Sequence, residues 1–261
     1  VLDMFWWRRM ETRTVFLPRR TVRDLRVEAM ASLAADADAA ARDGPTPFVS
    51  EGDVLTAWMI SMAASVLPLS SSRTVGISSA FGFRGRLTSM FLAREGEGAN
   101  VQNAVLPFFT NPPASDLIAR DNALEFAARP IRRNIETQAT EAQIRAFARL
   151  ARVSLVETEL LPFFGDTSFF LVNCSDWTKV RFFEVLDFGP AVLSRRSANS
   201  NAALSHSWYN PVYYHVQGVS PNDMLARNSF FLVGTPNGDY WITGCFPPEV
   251  WRKVEVAVSA T

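Results

Sequence analysis

Two histidines, His206 and His215, are the side chains of this sequence best suited to proton transfer near neutral pH. His206 begins a His-x-x-x-Asn spacing that we interpret as coincidental, with the ring at a strand entrance or on the surface. His215 lies in a predicted strand over residues 211–219, on the same face as Tyr213 and Gln217. A hydrogen-bonded structural histidine and a base in a pocket both fit this position. His215 and His206 are therefore the candidate catalytic residues.

Two further places could bind an anion or supply a nucleophile. Arg195 and Arg196 lie between serines in the most loop-like stretch of the chain, and such a pair can bind phosphate groups. We favour a solvated loop without a ligand over a phosphate site. Cys174 has polar and acidic neighbours and no histidine near it in sequence, so we predict a small buried residue rather than a nucleophile. Its spacing from Cys245 gives neither a disulfide framework nor a zinc site.

Asp187 follows an apolar segment, residues 180–186, that we predict to be a strand. Phe188, Gly189 and Pro190 come directly after the acid and stop the strand sharply. The acid is predicted to be buried, and an unpaired charge inside a protein costs several kcal/mol. Asp187 therefore needs a cationic partner, and we expect its role to be structural.

Helices and strands alternate along the chain and must position these residues. Acidic capping boxes at Thr21 and Ser50 predict the starts of two helices. Pro130 predicts a break or kink between two later helices, and the Asn-Gly pair before Asp239 predicts a hairpin turn because it tolerates positive φ. Strands are predicted at residues 14–17, 73–83, 99–109, 166–173, 180–186, 211–219, 229–234 and 239–244, and helices at 21–42, 51–68, 115–128, 140–156 and 247–251.

This order of elements predicts one mixed α/β (α+β) domain over residues 1–261, with a mainly antiparallel sheet flanked by helices. Within it, we expect residues 1–20 to form an entry segment and residues 190–205 a flexible loop.

The composition excludes several classes of protein. Of the 261 residues 48% are hydrophobic, including 20 Phe and 7 Trp, which is ample for a large core. Basic and acidic residues balance at 26 each and form no basic stripe, so no nucleic-acid partner is expected. The longest apolar run, residues 54–69, is shorter than the ~20 residues of a membrane span and predicts a core helix. We expect a cytoplasmic protein with no membrane span and no metal.

Several segments, taken in order, resemble the C-terminal half of BAHD-like acyltransferases, especially fungal enzymes of the trichothecene acetyltransferase kind. Residues 50–57 match a Ser-x-x-Asp-x-Leu-x-Ala helix, and Arg84 ends a strand that precedes a Gly-Asn strand, here Gln102-Asn103. Trp177 precedes Asp187-Phe-Gly as a tryptophan precedes that motif in the family, and residues 237–243 resemble its last hairpin.

This resemblance implies a fold like that of chloramphenicol acetyltransferase. It implies that Asp187 pairs with Arg84 and shapes a solvent channel with Phe188, Gly189 and Asn103. The candidate substrate-binding residues are Tyr213, Trp177 and Trp208, and the candidates for binding the phosphates of coenzyme A are Arg195 and Arg196. Pro190-Ala191 replaces the family's Trp-Gly, so the geometry after Asp187 differs from the family pattern.

The family's base is the histidine of a His-x-x-x-Asp motif, which this sequence lacks. The first hypothesis is therefore acyl transfer from acyl-CoA to an apolar small molecule of secondary metabolism, with the histidine half supplied elsewhere and no other cofactor required. The alternatives are a stand-alone half-domain that catalyses cyclisation, Diels–Alder-type cycloaddition or isomerisation of an apolar intermediate, and a non-catalytic binding half. An exposed former interface would predict a homo-oligomer or a partner N-terminal half.

Overall fold

The computed structural model describes residues 9–40, 48–87, 90–91, 103–118, 123–166, 168–191, 210–211, 213–214 and 226–259. Its strands are β1 (Glu11–Leu17), β2 (Val75–Gly82), β3 (Val105–Thr110), β4 (Phe170–Asp176), β5 (Ser229–Gly234) and β6 (Tyr240–Phe246). Its helices are α1 (Arg19–Ala40), α2 (Glu51–Ala64), α3 (Ala114–Ile118), α4 (Ala123–Gln138), α5 (Glu141–Thr158), α6 (Phe182–Val185) and α7 (Pro248–Ser259). Single 3₁₀ turns lie at Arg84–Arg86, Thr178–Val180 and Gly189–Ala191.

The six strands form one mixed sheet in the order β1-β6-β5-β4-β2-β3. The pairs β1–β6, β6–β5 and β2–β3 are antiparallel, whereas β5–β4 and β4–β2 are parallel. The predicted mixed and mainly antiparallel sheet with flanking helices is confirmed. Because β2 and β4 run parallel, their carboxyl ends meet at one edge, where Ser79 lies opposite Cys174.

The core lies between one face of the sheet and helices α1, α2, α4 and α7. Helix α2 is buried along most of its length, with Val54, Leu55, Met59 and Ile60 all inaccessible to solvent. The apolar run that begins at Val54 is thus a core helix, as predicted. None of the helices in the described ranges is both long and apolar enough to cross a membrane.

Two local predictions from the sequence are confirmed in detail. Ser50 caps α2 in a reciprocal capping box with Asp53. The hairpin between β5 and β6 turns at Gly238, which has a φ of +83° and donates its N–H to the Thr235 carbonyl over 3.0 Å. Of the Asn-Gly pair, Gly238 takes the left-handed conformation, whereas Asn237 has no positive φ.

The strand predicted at residues 180–186 is wrong. A 3₁₀ turn ends at Val180, Arg181 takes a left-handed φ of 56°, and α6 follows. Strand β4, directly before this segment, already has β2 and β5 on its two sides, so no ladder position is open beside it. The segment bonds its own backbone instead, for example from Glu184 N to Arg181 O at 2.9 Å.

Of the break or kink predicted at Pro130, the break is wrong, because α4 continues through this proline, whereas the kink stays a prediction. Ala127, Ala128 and Ile131 of the same stretch are buried in the core, and this packing holds the helix together around a residue that supplies no N–H. The chain instead breaks before Thr140, whose hydroxyl caps α5.

Two other predicted strands are only partly described. The one predicted at residues 99–109 begins at Val105 as β3, and residues 99–102 lie outside the described part. Of the strand predicted at 211–219, only residues 211, 213 and 214 are described, and these have no strand conformation.

Candidate functional site

A cleft of about 830 Å³ opens at the carboxyl ends of β2 and β4, between the sheet and helices α2 and α4. Its apolar wall includes Phe108, Ile131 and Ile135, and its deepest polar groups belong to residues of β2, β4 and α2. The turns that follow β2 and β4 supply its exposed end. Ligand sites in sheets with parallel strands commonly lie at this edge, so the cleft is the candidate functional site.

The wall formed by the start of α2 is held by one buried carboxylate. Asp53 Oδ2 accepts hydrogen bonds from Ser50 N and Ser50 Oγ, both at 2.7 Å. Arg132 of α4 donates from Nε to the same oxygen over 2.8 Å and also forms an ion pair with it. The Arg132 guanidinium lies 5.3 Å from the Phe48 ring centroid. The ion pair therefore fixes α4 against the first turn of α2.

The adjacent wall is an Asp-centred turn at the end of β4. Thr178 donates from its backbone N to Asp176 Oδ1 over 2.9 Å, and its hydroxyl donates to the same atom. A Cβ on Gly52 would lie only 2.7 Å from Asp176 Oδ2. The glycine is thus needed where the first turn of α2 passes the carboxylate. The Trp177 indole N–H donates to Ser175 Oγ over 2.9 Å and so has a defined orientation at the cleft.

The floor of the cleft is polar but uncharged. Ser79 and Cys174 lie side by side on β2 and β4, and Thr56 Oγ1 lies 3.5 Å from Cys174 Sγ. Burial raises the pKa of the Cys174 thiol to about 12. The thiol is therefore protonated near neutral pH and is no nucleophile, and the prediction of a small buried cysteine is confirmed.

Cations gather at the exposed end of the cleft. Arg84, Arg86 and Lys179 line it and are exposed to solvent, and the Arg84 guanidinium lies 5.7 Å from the Phe91 ring centroid. The carboxylates in the lining, Asp53 and Asp176, both accept hydrogen bonds from donors of the chain itself. This end of the cleft is therefore suited to anionic groups.

Three of the residues singled out by the resemblance come together here, since Arg84, Asn103 and Trp177 all line the cleft. Their proposed roles there stay predictions. Phe188 is exposed and lies outside the lining. Gly189 donates its backbone N–H to Asp187 Oδ1 over 2.8 Å, also outside the lining.

The expectation that Asp187 is buried is wrong. Its carboxylate is exposed and is held within its own turn by the Gly189 N–H, so solvation removes the need for a buried cation. Its pairing with Arg84 stays a prediction.

Tyr213, predicted to contact a substrate, is about half exposed and packs edge-on against Trp241 with centroids 5.7 Å apart, outside the cleft lining. Its neighbour Tyr214 lies nearer the cleft, because its hydroxyl donates to the Trp177 carbonyl over 3.4 Å. Burial raises the pKa of Tyr214, so the phenol keeps its proton. Five predicted site residues lie outside the described part of the chain: His206, His215, Trp208, Arg195 and Arg196.

Sequence reasoning missed Arg132, Lys179 and Ser79 as parts of this site. Arg132 is 79 positions from Asp53, and no local pattern links the two. The sequence nevertheless held one signal for a partner of Asp53. A capping carboxylate followed directly by an apolar helix is expected to be buried, and a buried carboxylate needs a cation.

No protein-family model matches the sequence. Curated fungal relatives do match: the acetyltransferase pyiB of Pyricularia grisea is 36% identical over 94% of this chain and 46% of its own length. The acetyltransferase adrJ of Penicillium rubens is 30% identical over 99% of this chain and 50% of its own length. The chain thus spans about half the length of the curated relatives it matches.

Solved structures show the same fold at low sequence identity. TRI101 of F. sporotrichioides, solved as a complex with coenzyme A and T-2, aligns with a TM-score of 0.66 at 14% identity, over 95% of this chain and 49% of that one. Vinorine synthase aligns with a TM-score of 0.51 at 14% identity, over 93% and 45% of the two chains. The fold expected from the resemblance is confirmed. Sequence and fold together place this chain among the BAHD-like acyltransferases, as a match to about half the length of such a protein.

Proposed function

We propose that this chain forms the acyl-CoA side of an acyltransferase that modifies a hydroxyl or amine of an apolar small molecule of secondary metabolism. The observation that carries the proposal is the distribution of polarity in the 830 Å³ cleft, with cations at its exposed end and neutral groups at its floor. Coenzyme A has the same arrangement, because its phosphates are anionic and its pantetheine arm is neutral. The names of the curated relatives and the coenzyme A in the TRI101 structure support this choice.

In the proposed reaction, a base removes the proton of the acceptor hydroxyl, whose oxygen attacks the thioester carbonyl of acyl-CoA. The carbon–sulfur bond then breaks, and the CoA sulfur leaves and takes up a proton from the base. By the family resemblance the base is the histidine of a His-x-x-x-Asp motif, which this sequence does not contain. The role proposed for this chain is to bind and orient the carrier.

Binding of coenzyme A tests the first part of the proposal. By calorimetry, Lys179→Gln and Arg86→Gln are each expected to weaken binding by roughly 1.5- to 5-fold at low salt, which is the range for solvent-exposed ion pairs. Their effect is expected to shrink as salt rises, because exposed charges are screened. Arg149→Gln on α5 is the matched control, because Arg149 is exposed and lies outside the cleft lining. Equal affinities for all three variants and the wild type would contradict the assignment.

Native mass spectrometry of the protein from its own source tests the second part. A longer chain, or a partner that carries His-x-x-x-Asp, is expected and would justify assays with acyl-CoA donors. A 29 kDa chain found alone or with copies of itself would contradict acyl transfer by the family mechanism. The alternative of a stand-alone domain that cyclises an apolar intermediate would then be the hypothesis to assay.

A partner is proposed because apolar side chains on and after α5 are exposed. The exposed fractions are 51% for Val153, 80% for Val156, 68% for Leu160 and 57% for Phe163. These four residues form an exposed apolar patch, and such patches usually contact another protein surface. An N-terminal half or a second copy of the chain is therefore expected to cover it. A clean monomer at high concentration with this patch open to solvent would argue against both. The cytoplasmic location also stays a prediction.

A further inference from the structure

One aromatic side chain on the wall of the cleft is held in place from several sides. Trp177 directly follows β4, and its backbone N–H donates to the Leu232 carbonyl over 2.9 Å. Its indole N–H donates to Ser175 Oγ over 2.9 Å, and its carbonyl accepts a hydrogen bond from the Tyr214 hydroxyl over 3.4 Å. Trp177 is partly exposed and lines the cleft. It therefore offers a bound ligand an aromatic surface of fixed orientation.

Two further aromatic rings support that of Trp177. The Phe182 ring centroid lies 5.9 Å from it, and Phe231 packs against it edge-on with centroids 6.5 Å apart. These contacts and the hydrogen bonds restrict the indole before any ligand arrives. A ligand that stacks on it therefore loses little affinity to the ordering of this side chain.

The charges around Trp177 restrict what can lie on it. Lys179 follows in the same turn and, like Arg86, is exposed at the cationic end of the cleft. The Asp176 carboxylate directly precedes Trp177 and would repel an anion placed against the ring. The part of a ligand that contacts Trp177 is therefore expected to be neutral and flat, with an anionic part beside it at the cations.

A nucleotide has this combination, because one ribose joins its neutral purine to its phosphates. Every base has a π-face that stacks on aromatic side chains. We infer that Trp177 stacks with the adenine of coenzyme A, while the neighbouring cations contact the phosphates. This inference rests on the proposed function and adds to it a choice of acyl carrier. The chain takes acyl groups from coenzyme A rather than from the phosphopantetheine arm of a carrier protein, which has no adenine.

Calorimetry with three ligands separates the parts of the carrier. Coenzyme A contains adenine, phosphates and arm, whereas 3′,5′-ADP lacks the arm and 4′-phosphopantetheine lacks the adenine. Trp177→Leu is expected to weaken the binding of coenzyme A and of 3′,5′-ADP by the same factor. That factor is roughly 5- to 20-fold, the lower part of the range for a base stacked on an aromatic side chain. The affinity for 4′-phosphopantetheine is expected to be unchanged.

Two further variants control for lost packing. Trp177→Phe keeps an aromatic face but deletes the indole N–H that bonds Ser175, and it is expected to retain coenzyme A affinity to within about 3-fold. Trp241→Leu is the matched control, because Trp241 is also partly exposed and packs 4.9 Å from the Phe16 ring but lies outside the cleft lining. It is expected to leave all three affinities unchanged.

Three results would overturn the inference. The first is an unchanged affinity for coenzyme A in Trp177→Leu. The second is a loss shared by 4′-phosphopantetheine, which would place Trp177 on the arm or show that the whole cleft is distorted. The third needs no variant: a wild type that binds 4′-phosphopantetheine as tightly as coenzyme A gains nothing from the adenine. A wild type that binds no coenzyme A would instead refute the proposed function itself.

Discussion

Removing Arg132 should destabilise the protein far more than removing a surface arginine. Arg132→Met keeps the aliphatic length of the side chain but deletes the guanidinium that bonds Asp53. Asp53 would keep only its two hydrogen bonds from Ser50, in a position where its side chain is 9% exposed. The carboxylate would then be buried without a countercharge.

The magnitude follows from the burial of the two partners. Breaking a fully buried ion pair by removing one partner costs about 3–5 kcal/mol. Arg132 is 20% exposed and Ser50 still donates to Asp53, so we expect about 2–3 kcal/mol for Arg132→Met. The pair Glu141–Arg145 on α5 is the control, since both side chains are about half exposed and such i,i+4 pairs contribute about 0.3–0.5 kcal/mol.

A double-mutant cycle isolates the pairwise energy. Urea unfolding of Asp53→Asn, Arg132→Met and the double variant should give a coupling energy of about 2 kcal/mol, and the loss of the Arg132 contact with Phe48 cancels in the cycle. The corresponding cycle for Glu141 and Arg145 should give less than about 0.5 kcal/mol. Similar coupling energies in the two cycles would refute the argument that burial makes the Asp53 pair strong.

Three further perturbations test the geometry around the cleft. Gly52→Ala should lower the free energy of unfolding although alanine favours helices, because its Cβ would lie 2.7 Å from Asp176 Oδ2. Gly85→Ala is the control: its Cβ would have no atom within 4 Å, so its free energy of unfolding in urea should be nearly unchanged. Equal effects of the two substitutions would contradict the contact at Gly52. Tyr240→Phe should cost about 1–3 kcal/mol in urea unfolding, since it deletes a 2.6 Å hydrogen bond to a carboxylate in the first turn of α2, and a loss below about 0.5 kcal/mol would speak against that bond. The pKa of the Cys174 thiol in the folded protein is about 12, above its ordinary value of 9.0. The folded state therefore binds the thiol proton more tightly than the unfolded state does, and the stability that depends on this proton is lost as pH rises from about 9 to 12. At pH 8 peptide mass spectrometry should find Cys174 unlabelled by a thiol reagent until the protein is unfolded, and rapid native labelling would contradict its burial.

Some features fixed by neighbouring residues were predictable from the sequence, but the capping box predicted at Thr21 was wrong, because α1 begins at Arg19 and Thr21 lies inside it. The capping box at Ser50 and the turn at Gly238 each depend on a few consecutive residues, and both were predicted correctly. The strand expected at residues 180–186 failed because its pattern is strand-like but the sheet has no position for it beside β4. The helix break expected at Pro130 is absent because the tertiary packing of α4 outweighs the local effect of the proline.

The site itself was predicted only in part for a related reason. Trp177 and Arg84 were found through motifs that follow strand ends, and both line the cleft. Arg132 and Ser79 have no motif of their own, and their roles arise only when α4 and β2 are brought against α2 and β4. The parallel pairing of β2 with β4 thus creates the floor of the cleft, and that pairing joins segments about 95 positions apart, as the register of Ser79 with Cys174 shows.

The separation of charge in the cleft bears on which of the two substrates this chain binds. An entirely apolar acceptor would contact Phe108 and Ile131 but would make no ionic contact with Arg86 and Lys179 at the exposed end. A carrier with an anionic head and a neutral amide arm complements both ends at once. On the proposed function, the carrier is therefore the ligand that this chain recognises. The apolar acceptor must then find most of its contacts, and its base, on the other wall of the complete active site.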